Sequence, residues 1–178
     1  MNHEVVESAT PFTGGFFSVV VDRIRLPDGH ITNRDYVRHP GAAAVVPVLG
    51  DEVLLVRQNR HAVGRDLLEI PAGKLDVDGE PPELCARREL EEETGYQADE
   101  WAPLGAFYSS PGFTDERFHL YVARTLRRVA PPPETDHGEP IAIEWVAMAE
   151  ALAALRDGSI VDSKTVIGLL LVAQGAGQ

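Results

Sequence analysis

Cysteine is nearly absent from this chain. Cys85 stands alone among 178 residues, which excludes an intramolecular disulfide and leaves packing as a small apolar residue as its expected use. Long apolar runs are missing as well. The stretch Val166–Ala173 is far short of the roughly 20 residues a membrane-spanning helix needs. The first residues lack a basic-then-apolar leader pattern, so no membrane association and a cytoplasmic setting are expected. Basic residues are scarce: 16 Lys and Arg against 28 Asp and Glu give a net charge of −12. Such a surface argues against nonspecific nucleic-acid binding, which requires a basic face. Small anionic substrates stay open, because bound cations invert the local field. There is no internal repeat. The length suffices for one substantial core, or for a compact domain plus a small appendage.

What is abundant is acid, and it is concentrated. Gly73 to Gly95 reads GKLDVDGEPPELCARRELEEETG. A helix is predicted to open at Pro81 or Pro82 and to stop at Gly95. Glu89 and Glu93 are four apart and share a face, and Glu92 flanks the same edge. Ala86 and Leu90 supply the inward stripe. A run such as ELEEE is most often a solvated helix face. Here, however, like charges stacked on one face call for a compensating cation, and oxygen-only ligands suit Mg²⁺ or Mn²⁺ rather than zinc.

The remaining chain punctuates clearly. Phe16–Leu26 and Ile31–Arg38 read as strands around the turn signal Pro27-Asp28-Gly29, so residues 12–39 form a hairpin or small sheet. His39-Pro40-Gly41 marks a boundary between an N-terminal segment, 1–40, and a main domain, 41–178. Ala42–Leu49 and Val53–Gln58 form a hairpin around Gly50-Asp51. Leu104–Tyr108, Phe118–Val122 and Ile141–Val146 are further strands. Helices are expected at Met148–Arg156 and at Ser163–Ala173, the latter capped by Asp162 or Ser163. The architecture is α/β (α+β): a mixed β-sheet sandwiched between helices, with a small N-terminal antiparallel sheet.

The acidic segment resembles the Nudix box, GX5EX7REUXEEXGU with U a bulky apolar residue. Glu80, Arg88, Glu89, Leu90, Glu92, Glu93, Gly95 and Tyr96 match it. The departure is one extra residue between Gly73 and Glu80, in a loop where length changes cost little. Leu68–Gly73, Ser110–Glu116, His39–Val46 and Val56–Arg60 resemble the ADP-ribose pyrophosphatase branch. That resemblance implies the Nudix fold, Mg²⁺-dependent cleavage of ADP-ribose to AMP and ribose 5-phosphate, and an intertwined homodimer.

The chemistry also follows from charge. A pyrophosphate repels a nucleophilic water until cations neutralise it and acidify that water. Glu89 and Glu93, then Glu92, are the expected metal ligands, and the resemblance adds the Ala72 carbonyl. Arg88 reads as the partner that orients these carboxylates, and Glu80 as holding the loop. Glu69 reads as a structural ion pair. Arg57 and Arg60 are candidates for the phosphates, since a guanidinium matches phosphate oxygens bidentately; a surface role is the alternative for each. Glu116 is a candidate for the metals or the terminal ribose. Phe16 and Arg34 match places where the family grips adenine, with plain core packing the alternative for Phe16. The resemblance places a general-base glutamate in the loop before the last strand; Glu139 is the first choice, with Glu134, Asp136 and His137 as rivals. Other readings are a hydrolase of another nucleoside diphosphate sugar or dinucleotide, such as GDP-mannose or a flavin dinucleotide, and a non-catalytic sensor of ADP-ribose. The intact acidic cluster argues against the sensor.

Overall fold

A computed structural model describes residues 3–129 and 141–177. They divide into two compact units. One holds the chain up to Gly41 together with Tyr108–Arg117; the other holds Ala42–Phe107 and the chain from Phe118 onward.

The first unit is a three-stranded antiparallel sheet in the order β1 (Glu4–Thr13), β2 (Ser18–Arg25), β3 (Ile31–Arg38). Val20 and Ile24, four apart on one face of β2, are buried. The edge strand β1 is absent from the sequence reading for a physical reason. All ten of its residues are exposed, so no alternation marks it, and it carries Pro11. Proline is tolerated on an edge or at a bulge, and the β1–β2 register does shift between Ala9 and Phe12. The expected strand Phe16–Leu26 begins later, at Ser18. Gly14 N–H closes a turn onto the Phe17 carbonyl at 2.8 Å, leaving Phe16 and Phe17 in the connection. The segment Ser110–Glu116 is pinned to the end of β3: Val37 N–H donates to Phe113 O at 2.8 Å, and Asp115 N–H to Val37 O at 3.1 Å.

The second unit is built on a seven-stranded mixed sheet. Its order is β10 (Ala142–Ala147), β5 (Glu52–Arg60), β4 (Ala42–Leu49), β9 (Arg117–Arg128), β8 (Tyr96–Tyr108); β6 (Arg65–Glu69) pairs with β5 and β7 (Ala72–Lys74) with β4. β10 with β5, β5 with β4 and with β6, and β4 with β7 pair antiparallel, whereas β4 and β9 run parallel. β4 explains why helices cover both faces. Its Ala44, Val46 and Val48 enter one core, with Leu120, Leu169 and Ile160. Its Ala43 and Val45 enter a second, with Cys85, Ala86 and Leu90. A strand buried on both sides reads as a continuous apolar run, as AAAVVPVL does. Helix α1 (Pro82–Thr94) covers the second core, while α2 (Met148–Asp157) and α3 (Ser163–Ala173) cover the first. α3 lies close to the sheet because position 168 is glycine: a Cβ there would come within 2.7 Å of Val46 Cγ2. Among the described residues no helix is long and apolar enough to cross a membrane.

Candidate active site

α1 starts where proline fixes φ at its first turn and ends at Gly95, whose left-handed φ of 71° lets its N–H reach the Glu91 carbonyl at 2.8 Å. Leu90 and Ala86 anchor one face in the core, so register fixes where the acids point. Cys85 sits beneath them, fully buried; burial, then the charge of Glu89, pushes its thiol up to about 12, which makes it inert packing.

Arg88 is the hub of the acidic face. Its Nε and Nη2 donate to both oxygens of Glu80 at 3.1 and 3.0 Å, and its Nη1 to Glu89 at 2.6 Å and Glu92 at 2.9 Å. The extra residue before Glu80 leaves this fork in place. It is taken up by a turn in which Gly79 has φ 74° and Glu80 N–H bonds Val77 O at 3.1 Å. Hydrogen bonding to Arg88 holds the Glu80 carboxyl below the usual carboxylate range.

Glu89 and Glu93 behave differently. Burial raises the Glu89 pKa against the opposing charge of Arg88. Burial, then the negative charge of Glu89, pushes Glu93 up to about 8. The Glu93 carboxylate accepts the Ala72 N–H at 3.1 Å, so β7 and α1 meet there. Glu92 stands further out, with 53% of its side chain exposed and its carboxylate on Arg88. Among the described residues no three of His, Cys, Asp and Glu form a ready metal cage. The donor set still fits a hard divalent cation. Two partly buried carboxyl groups have charged forms that burial disfavours and a cation would stabilise, and an ion such as Mg²⁺ commonly takes one or two carboxylates and keeps several waters.

Gly73 has a role that its place in the motif does not reveal. A Cβ there would land on the carboxyl group of Glu89, well inside van der Waals contact. The obstructed atoms are the end of a flexible side chain, so a larger residue displaces the carboxylate and spares the fold. Gly73→Ala is expected to weaken Mn²⁺ binding at least about tenfold, or ~1.4 kcal/mol, with a melting temperature within a few degrees of wild type. Electron paramagnetic resonance titration beside a thermal melt checks both; unchanged affinity would show that Glu89 binds no cation in this position.

The arginines flanking the acids are already paired. Arg57 makes a fork onto Glu144 at 2.6 and 3.2 Å, and Arg60 a tighter one onto the buried Glu69 at 2.7 and 2.7 Å. Three positions apart, they leave opposite faces of β5. The charge of Glu93 contributes to raising the Arg60 pKa, after its bond to Glu69. Glu69 is also 3.7 Å from Lys164, consistent with a structural ion pair. In the first unit, Phe16 is exposed and meets Phe17 and His39 edge-on, with centroids 5.3 and 5.5 Å apart. Arg34 donates to the Asn33 carbonyl at 2.9 Å. Glu116 lies 3.9 Å from His39 Nδ1, and its N–H donates to Thr114 Oγ1. Glu134, Asp136, His137 and Glu139 lie outside the described residues.

The sequence pattern of the NUDIX domain matches residues 38–166, from the end of β3 into α3. The chain belongs to the Nudix family. Over 171 residues it is 43% identical to an ADP-ribose pyrophosphatase of Mycobacterium tuberculosis, covering 95% of this chain and 82% of that one. A methanol dehydrogenase activator of Bacillus methanolicus is 39% identical over 167 residues, with coverages of 93% and 90%. An ADP-ribose pyrophosphatase of Bacillus subtilis is 39% identical over 159 residues, covering 89% and 85%. A crystal structure of an ADP compounds hydrolase superposes with a TM-score of 0.83 at 22% identity, covering 98% of this chain and 94% of that one, so the folds agree. The Nudix box is thus the strand–loop–helix from Gly73 to Tyr96, with Arg88 at its centre. Sequence reasoning missed Gly73 as the seat of Glu89. It also missed Lys164 and Thr165, whose nearness to Glu69 and Ile70 no local pattern announces.

Proposed function

We propose that this Nudix protein hydrolyses ADP-ribose to AMP and ribose 5-phosphate with the help of Mg²⁺, for which Mn²⁺ can substitute. The observation that carries this reading is the pair Glu89 and Glu93 on one face of α1, Glu89 held by Arg88 Nη1 and Glu93 by the Ala72 N–H. The similarity to two ADP-ribose pyrophosphatases over about nine-tenths of the chain supports the choice of substrate. Glu89, Glu93, the Ala72 carbonyl and, in a lesser part, Glu92 would hold the cations. Bound there, the ions would neutralise the diphosphate and acidify a water.

The chain's own residues supply the rest. Glu139 takes the proton of the water as its oxygen adds to one phosphorus and the bridging P–O bond breaks. Arg60 receives phosphate oxygens, exchanging part of its fork onto Glu69, and Arg57, on the other face of β5, is the second phosphate candidate through its fork onto Glu144. Glu116 serves the ribose end or a cation, and Phe16 and Arg34 hold adenine by stacking and by cation–π contact. Purified protein is tested against ADP-ribose, GDP-mannose and flavin dinucleotide with Mg²⁺, with products resolved chromatographically. ADP-ribose is expected to give the highest kcat/KM, and EDTA to abolish turnover. A higher kcat/KM for either competitor reassigns the substrate. Full turnover in EDTA removes the metal from the mechanism.

The protein is also proposed to be a homodimer whose N-terminal segment completes the site of the partner. β1 exposes all ten residues on the edge of a three-stranded sheet, among them Val5, Val6 and Phe12. Such a sheet has little core of its own. Light scattering on a sizing column is expected to give twice the 19.4 kDa chain mass. A monomer at working concentration rules this out.

A further inference from the structure

The backbone from Glu69 to Ala72 is held from three directions. Val45 N–H of β4 donates to the Pro71 carbonyl at 3.0 Å, and Ala72 N–H donates to Glu93 of α1 at 3.1 Å. The third hold comes from 95 residues further along the chain: Ile70 N–H donates to the hydroxyl of Thr165 at 2.9 Å. Thr165 is fully buried in the first turn of α3. Its own hydroxyl hydrogen goes to Asp162 Oδ2 at 2.8 Å, which turns its lone pairs toward Ile70. Asp162 is the N-cap of α3, and the same oxygen accepts Thr165 N–H at 3.0 Å. Its other oxygen accepts Lys164 Nζ at 2.7 Å, and that ammonium also lies 3.7 Å from Glu69. One helical turn thus grips the side chain of Glu69 and the amide of Ile70, two consecutive residues just ahead of Ala72.

We infer that Thr165, oriented by Asp162 and assisted by Lys164, is a positioning residue that sets the cation affinity of the site by fixing the segment leading into Ala72. The inference rests on the proposed ligation by Ala72, Glu89 and Glu93. A helix cap alone needs only the Asp162 bond to Thr165 N–H. The further bonds run out of the helix, to the strand end that feeds the acidic site. Pro71 has no N–H and a fixed φ, so rotation at Ile70 is transmitted to Ala72 with little slack. Ala72 N–H in turn seats Glu93, which makes the carboxylate sensitive to the same movement. Groups that orient ligands in this indirect way commonly change metal affinity by 10–100-fold when removed.

The test is Mn²⁺ affinity, read by electron paramagnetic resonance on wild type, Thr165→Val, Thr165→Ser and Lys164→Met, each checked for folding by circular dichroism. Thr165→Val keeps the shape and removes the hydroxyl; its dissociation constant is expected to rise about tenfold. Thr165→Ser restores the hydroxyl and should return to within about threefold of wild type. A purely structural role would lower the melting temperature of Thr165→Val and leave the Mn²⁺ constant of the folded protein unchanged, and that result overturns the inference. Failure of Thr165→Ser to rescue also overturns it, by assigning the loss to packing. Should Thr165→Val fail to fold, Lys164→Met decides: a rise of about threefold or more supports the inference and wild-type affinity refutes it. Absence of Mn²⁺ binding in wild type would sink the proposed cation site itself, a result distinct from all of these.

Discussion

Glu93→Gln is expected to lose at least about a hundredfold in kcat/KM, or roughly 2.7 kcal/mol of transition-state stabilisation, while its metal-free form melts no lower than wild type. Both parts follow from the surroundings of the carboxylate. The amide keeps the shape and still offers an oxygen to Ala72 N–H, so the contact between β7 and α1 survives. What disappears is a charge that burial and Glu89 already disfavour, as its pKa near 8 shows. Without a cation that charge is a burden, and with one it is a ligand. Opposite movements of activity and metal-free stability are therefore the signature of a metal carboxylate. Addition of Mg²⁺ should raise the wild-type melting temperature and leave that of Glu93→Gln nearly unmoved. Activity within tenfold of wild type would remove Glu93 from the centre of the site.

Glu139→Gln is expected to lower kcat by about a hundredfold or more, the range usual for a positioned general base, with KM and Mn²⁺ affinity nearly unchanged. Glu139 stands three residues before Ala142, and Ala142 pairs across the strands with Arg57, a proposed phosphate partner. A carboxylate is a weak base in water, and neighbouring anions raise its proton affinity toward neutrality once substrate is bound. A drop in kcat without a change in KM marks an interaction made mainly in the transition state. If Glu139→Gln keeps ordinary kcat and Glu134→Gln or His137→Ala collapses instead, the role moves to that residue. Activity in all three would leave the water to the cations or to a box glutamate.

How much of this could be read from the chain depended on how far apart the partners lie. α1 was legible to within a residue, because its proline start, its glycine stop and its Ala86 and Leu90 stripe are all local signals. β3, β4 and α3 match their expected spans for the same reason. β6 and β7 were not foreseen; they have five and three residues, and Pro71 falls in the gap between them. β8 begins at Tyr96, eight residues before the expected start, because Asp99, Glu100, Pro103 and Gly105 interrupt any alternation. In the site, the Arg88 hub was legible from one helix and the loop ahead of it. Glu144 opposite Arg57, 87 residues away, and Thr165 under Ile70, 95 away, were not. Tertiary pairing of that kind leaves no periodicity to find. Gly73 carried a motif position but no hint that Glu89 lies against it.

The unequal spacing of the bonds around Ala72 also has a bearing on biosynthesis. The bond from Ala72 to Glu93 spans 21 residues and closes within one strand–loop–helix unit, whereas that from Ile70 to Thr165 spans 95. At roughly 5–20 residues per second, a ribosome that has finished Glu93 needs about 4–14 s more to add Thr165. For that interval the Ile70 N–H lacks its partner on Thr165. The acidic half of the centre therefore draws on near neighbours in the chain, whereas its alignment waits on α3, the last helix among the described residues.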